Sequence, residues 1–237
     1  MNLKKTLFFT ICIIMLASFF ILMISAASNI ALNTSLDTVA AKSNPVVIID
    51  SGHGGEDGGA VNDDGVLEKD INLLISRDTA DLLMFLGFDT QQTRTDDSDL
   101  SDGEDTTRMR KVSDMKKRLE IFNSSENNVI ISIHQNKFTQ SKYNGTQLFY
   151  SPNNEGSSKL AESIKYSVKN LLQPSNEREC KQADSGIYLL KNTTNPAVIV
   201  ECGFISNPEE CAKLLDNTYQ KQMSFSIVMG FLDYYNS

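Results

Sequence analysis

The sequence predicts an α/β fold: a single layered domain with a mostly parallel sheet, preceded by one N-terminal hydrophobic helix. Three observations predict it. The β-branched runs Val46–Ile49, Val129–Ile133 and Ala197–Val200 have the unbroken apolar character of strands buried on both faces. Segments with apolar residues at helical spacing separate them. Ahead of them all, Leu7 to Ala27 is almost wholly apolar, about the 20 residues that a bilayer core requires.

In chain order, Lys4 and Lys5 flank the apolar run and place the N-terminus in the cytoplasm. Residues 1–27 read either as an uncleaved membrane anchor or as a secretory signal cut after Ser25, Ala26 and Ala27. The run is longer than a usual signal core, which favours the anchor. Both readings export the rest of the chain. Residues 28–44 are small and polar and read as a linker, closed by Pro45, and 45–237 form the domain. After the first strand come Gly52, Gly54, Gly55, Gly58 and Gly59, with His53 among them. Glu68 opens a helix that carries Ile71, Leu74, Ile75, Leu82 and Leu86 inward and stops at Gly87. Phe88–Thr93 reads as a second strand.

Asp96–Asp105 holds six acidic residues in ten but lacks the ligand order of an EF-hand, so it reads as a solvated loop. A helix over Met109–Phe122 leads to the Val129–Ile133 strand, which ends directly in His134. Gly145–Ser151 alternates as a strand, Ser157–Leu172 is helical, and Gly186–Leu190 reads as a short strand. Ala197–Val200 ends in Glu201, and helices over Pro208–Leu215 and Tyr219–Tyr235 complete the chain. No internal repeat is visible.

Hydrophobic residues at 41% with 22% charged exclude wholesale disorder. The net charge is −8, and both basic residues of the first 27 positions lie in the leader, so the remainder is more acidic still. Such a domain repels nucleic acid, which drops out as a partner. Cys12 lies in the leader. Cys180, Cys202 and Cys211 remain, an odd number without ligand spacing, and a Cys180–Cys211 pairing stays open because connectivity cannot be read from sequence.

Three buried strands thus end in His53, His134 and Glu201, and Glu68 starts the helix after the first. If those strands share a sheet and a direction, the side chains converge on one edge. Two imidazoles and a carboxylate make the ligand set of a catalytic zinc site, with a second carboxylate left to carry a proton. On spacing alone this competes with ordinary polar and salt-bridge roles, since no compact motif such as H-E-x-x-H joins the residues. The glycine-rich loop matches neither G-x-G-x-x-G nor the P-loop, which argues against a phosphate cradle.

IDSGHGGEDGGA at Ile49–Ala60, Glu68 in the next helix, ISIHQN at Ile131–Asn136 and VECGFISN at Val200–Asn207 resemble the signature of zinc-dependent N-acetylmuramoyl-L-alanine amidases. TRTD at Thr93–Asp96, Arg118 with Asn123, and GTQLFYS at Gly145–Ser151 fit as well. The resemblance spans nearly everything from Val46 onward. It implies a twisted mixed sheet flanked by helices on both faces. It implies one Zn2+ per chain on His53, Glu68 and His134, with Glu201 as the catalytic acid/base and Asn136 as a secondary contact. The implied substrate is peptidoglycan, cut between the lactyl group of N-acetylmuramic acid and the L-alanine of the stem peptide. The alternatives are another zinc hydrolase of the cell wall, a peptidase or deacetylase, or a non-catalytic peptidoglycan-binding relative.

The sequence departs from the family pattern at Ser51, where proline or alanine is common, and at Gly58, where proline is common; both bear on loop stiffness rather than chemistry. With an anchor and a catalytic domain but no wall-binding repeat, the layout resembles the small amidases of spore-forming bacteria that act on cortex peptidoglycan and prepare muramic-δ-lactam. That implies a site on the outer face of the cytoplasmic membrane, in the forespore or cortex space. Positioning would come from the membrane segment or from an activating or targeting protein partner.

Overall fold

The computed structural model describes residues 44–237, which form one compact unit. The leader reading and nearly all of the linker lie outside the described residues; among the described residues no helix is long and apolar enough to cross a membrane.

The elements are β1 (Val46–Ser51), α1 (Glu68–Phe85), β2 (Thr90–Gln92), α2 (Thr107–Phe122), β3 (Asn128–Asn136), β4 (Gln147–Tyr150), α3 (Glu155–Leu171), β5 (Lys181–Gln182), α4 (Tyr188–Asn192), β6 (Ala197–Phe204), α5 (Pro208–Leu214) and α6 (Asn217–Tyr235). One six-stranded sheet has the order β2-β1-β3-β6-β4-β5. β2, β1, β3 and β6 run parallel. β4 is antiparallel to β6 and β5 parallel to β4, so the sheet is mixed. The three β-branched runs occupy its centre, where both faces are covered.

Alternate residues of those strands feed two cores. Val47, Ile49, Ile131, Ile133, Val198 and Val200 face the layer of α1, α3 and α6; Ile48, Ile130 and Ile199 face α2 and α4 with Phe122 and Leu190. The helices begin and end where their caps allow. Thr106, Asn154, Asn207 and Asp216 each accept a backbone N–H at the start of a helix. At the end of α1, Gly87 takes φ +86°, and the N–H groups of Gly87 and Phe88 return to the carbonyls of Met84 and Leu83, the Schellman pattern.

Gly186–Leu190 is not a strand, contrary to the expectation. Its second half is the first turn of α4, where Leu189 and Leu190 bury against the sheet rather than join it. The sheet edge is taken instead by Lys181 and Gln182, a polar pair with no apolar signal. The three described cysteines are free, and the Cys211 thiol receives a hydrogen bond from Asn62.

Candidate metal and catalytic centre

The shared direction of β1, β3 and β6 carries their carboxyl ends to one edge. His134 and Glu201 are direct partners across β3 and β6, hence on one face, the face of α2 and α4. Just past β1, His53 adopts φ +62°, a left-handed conformation in which only histidine, asparagine and aspartate are at all common among non-glycine residues. Two buried arginines hold the backbone there. Arg118 donates to the carbonyls of Ser51 and His53, each at 2.8 Å, and Arg94 to those of Ser51 and Gly52 at 3.0 and 3.1 Å. Arg118 also pairs with Asp50 at 2.5 Å and Asp114 at 2.8 Å. The landmarks TRTD and Arg118 are therefore the clamp that aims the loop.

Close packing explains two of the glycines. A Cβ at Gly52 would lie 2.3 Å from the His134 ring, and one at Gly59, φ +69°, would lie 2.6 Å from both Glu68 and His53. At Gly58 a Cβ would meet only the tip of Leu67, so this departure from the family pattern leaves the site intact. Ser51 donates its backbone N–H to Thr93 Oγ1, a bond that proline could not make. The acidic loop is largely exposed, as expected, and is tied down at Asp97. Asp97 accepts from Gly55 N and from Lys69 Nζ, which straps the loop over the glycines.

The structure brings His53, Glu68 and His134 together. One donor atom from each lies within 4.8 Å of the others, and among the described residues this is the one such set of histidine, cysteine and carboxylate groups. Glu68 stands between the imidazoles, with Oε2 3.3 Å from His53 Nε2 and Oε1 2.9 Å from His134 Nδ1. Burial opposes charge on Glu68, yet the two histidines hold its carboxyl well below the usual range. Burial likewise opposes charge on His53, but hydrogen bonds to Asp57 and Glu68 outweigh it and raise the imidazole to about 9.

Converging donors of mixed N and O type, held together only by shared protons, suit a cation of zinc's preferences. Glu201 supplies the second sign. Burial pushes its carboxyl up to about 7, with His134 opposing and Glu68 adding to the rise, and its Oε2 is shut from solvent without a hydrogen-bond partner. It stands beside the three donors as a carboxylate with nothing yet to bind.

Sequence reasoning missed the residues that orient this set. Asp57 Oδ2 accepts from His53 Nδ1 at 2.8 Å, which turns Nε2 toward Glu68, and Lys111 Nζ lies 3.1 Å from the same oxygen. Asn72, one helical turn after Glu68, donates to Glu68 Oε1 and to the Gly52 carbonyl, and accepts from Gln135. A buried asparagine on the inward stripe of an amphipathic helix is the signal that could have found it. Asn136, expected as a secondary contact, makes no side-chain hydrogen bond among the described residues; its carbonyl accepts from Ile205 N. The neighbouring Gln135 is the residue that reaches the site, its N–H on Glu68 Oε1 at 3.0 Å.

A groove of about 320 Å³ runs from His53 and His134 between α2 and the start of α4, walled by Lys111, Met115, Ile187, Tyr188 and Leu189. A cavity of about 370 Å³ beside Asn176 and Glu210 contains none of the four site residues.

Residues 47–232 match the family described as N-acetylmuramoyl-L-alanine amidase, Amidase_3. The germination-specific N-acetylmuramoyl-L-alanine amidase of Bacillus subtilis is 36% identical over 194 residues, 81% of each chain. The CwlD amidase of Clostridioides difficile, solved in complex with the GerS lipoprotein, superposes with a TM-score of 0.79 at 42% identity, covering 81% of this chain and 99% of that one. The amidase AmiC2 of Nostoc punctiforme superposes at 0.71 with 27% identity, over 82% of this chain and 99% of that one. This chain belongs to the Amidase_3 family of N-acetylmuramoyl-L-alanine amidases.

Proposed function

We propose that this protein hydrolyses the amide between the lactyl group of N-acetylmuramic acid and the L-alanine of the peptidoglycan stem peptide, with His53, Glu68 and His134 holding one zinc ion. The observation that carries the reading is Glu201, an unpartnered carboxylate beside three converged donor groups. Zinc bound there supplies Lewis acidity for the carbonyl and for the attacking water. With zinc in place, Glu201 would take the proton from that water and give it to the departing amine. Asp57 keeps the His53 ring turned, Asn72 and the Gln135 N–H fix Glu68, and the arginine clamp holds the loop.

A role in spore cortex maturation, with muramic-δ-lactam as the downstream modification and an exported location in the cortex space, is part of the same proposal; what supports it is the likeness to a germination-specific amidase. Anchorage through the N-terminal segment belongs to the same proposal. A protein partner is proposed by analogy with the Clostridioides difficile relative and its lipoprotein.

The test is digestion of purified peptidoglycan by residues 28–237 with added zinc, the fragments read by mass spectrometry. Free stem peptides that begin with L-alanine are expected. A cut within the stem peptide would make the enzyme a peptidase, released acetate a deacetylase, and binding without any cleavage a non-catalytic relative.

A further inference from the structure

A basic and aromatic shelf lies beside the site and is unused by the chemistry above. Phe204, at the end of β6, is 3% exposed and forms its floor. The Arg178 guanidinium lies 4.5 Å from the centre of the Phe204 ring and 5.9 Å from that of Tyr143. Phe138, 49% exposed, stands edge-on to Tyr143 at 4.8 Å, and Lys142 Nζ is 5.6 Å from the Tyr143 ring centre.

The shelf is built, not draped. Buried Glu210 accepts the N–H groups of Gly145 and Phe204 at 2.7 and 2.8 Å, and Arg178 Nε donates to the Asn144 carbonyl at 2.6 Å.

Two ties join it to the catalytic edge. Phe204 pairs with Asn136, two residues beyond His134. Arg178 Nη1 reaches Gln147 Oε1 at 3.4 Å, and Gln147 is the direct partner of Glu201 across β4 and β6, so the two share a face of the sheet.

Charge distinguishes the shelf from the groove on the other side. The groove's cations are already matched: Lys111 by Asp57, Arg118 by Asp50 and Asp114. The carboxylates flanking Arg178 in sequence, Glu177 and Glu179, are taken by Lys169 and Lys165. Among the described residues neither Arg178 nor Lys142 forms a salt bridge. Buried Glu210 feels the Arg178 charge, but its two oxygens are engaged by the N–H groups of Gly145 and Phe204. Two cations over aromatic rings, in a chain of net charge −8, make a local site for a carboxylate.

We propose that the shelf binds the acidic second residue of the stem peptide: Arg178, supported by Lys142, receives the free carboxylate of D-glutamate, while Phe138 and Tyr143 cover the peptide's apolar side. This rests on the amidase reading and deepens it. The reach agrees. A carboxylate on the second residue lies about 7 Å from the scissile amide in an extended peptide, and Phe204 lies about 10 Å along the strand from Glu201. The glycan side of the substrate is left to the groove, whose charges are paired among themselves.

The test uses the zinc-loaded Glu201→Gln protein and two soluble probes, N-acetylmuramoyl-L-alanyl-γ-D-glutamyl-L-lysine and its D-isoglutamine counterpart, in which the carboxylate is an amide. Calorimetry is expected to show about tenfold tighter binding of the carboxylate form. Adding Arg178→Gln should erase the preference. Lys142→Ala, a change at an exposed position that leaves the fold alone, should reduce it by about threefold. Equal affinity for the two probes, or a preference that survives both changes, overturns the proposal. Cleavage of intact peptidoglycan by the unsubstituted enzyme reads the reaction separately. Cleavage without preference removes the subsite and keeps the amidase; preference without cleavage does the reverse.

Discussion

Replacing Arg118 by leucine tests whether the loop that carries His53 is held by a buried charge cluster. Asp50 and Arg118 are 1% and 2% exposed, so the change leaves a carboxylate in the interior with only Thr93 and Ser132 as hydrogen-bond partners. Breaking a buried pair from one side costs about 3–5 kcal/mol, which in a domain of this size lowers Tm by roughly 6–20 °C. The deficit depends on pH. In the folded protein burial acts to raise the Asp50 carboxyl, but Arg118, the Ser132 hydroxyl, the His134 charge and the Thr93 hydroxyl together prevail and hold it below its ordinary value. Its contribution is therefore present above the unfolded carboxylate pKa and is lost as pH falls through the folded one. Without Arg118, burial prevails and Asp50 titrates upward, so protonation relieves the strain and the gap to the parent narrows as pH falls. Chemical denaturation at about pH 7.5 and about pH 5 measures both effects. A deficit below about 1 kcal/mol, the scale of a surface pair, or one that does not narrow in acid, would mean that the buried charge cluster does not hold the loop.

Four further outcomes are expected. Asp57→Asn should weaken zinc binding about 10–100-fold in a competition assay while leaving the fold intact, because the carboxylate that turns His53 is lost. Glu201→Gln should lower kcat about 10²–10⁴-fold with zinc affinity nearly unchanged. Zinc titrated at about pH 7.5 should displace about one proton from His53, raised to about 9 in the metal-free protein, so that apparent affinity climbs about tenfold per pH unit toward 9; calorimetry in buffers of differing ionisation enthalpy reads the proton. Gly230→Ala should destabilise the domain by about 1–3 kcal/mol in denaturant, since its Cβ would lie 2.4 Å from the Ile164 backbone where α3 and α6 meet.

The central strands were legible because burial on both faces leaves an unbroken β-branched run, and α1 because its stripe ends at a glycine that takes φ +86°. The four site residues were legible for a related reason: each sits at a strand end or helix start, which places it without knowledge of long-range contacts. What orients them was not. Asp57 looks like any loop acid until the fold brings His53 to it, and Asn72 is marked only by its place on the inward stripe of its helix, which does not say that Glu68 is its partner. Gly186–Leu190 misled because five residues of mixed apolar character fit a strand and a helical turn equally, and only the sheet edge, held by Lys181 and Gln182, decides between them. The acidic loop was legible as exposed, but composition does not record the Lys69 and Gly55 groups that Asp97 meets.

The account stands most directly on which residues bind the metal. Anomalous diffraction from crystals of residues 44–237 grown with zinc measures this in one experiment. The expected result is a single zinc peak with His53, Glu68 and His134 as its protein ligands and Glu201 alongside but not bound. A peak ligated by Glu201 in place of Glu68, or zinc bound elsewhere with these three side chains still hydrogen-bonded to one another, would contradict it.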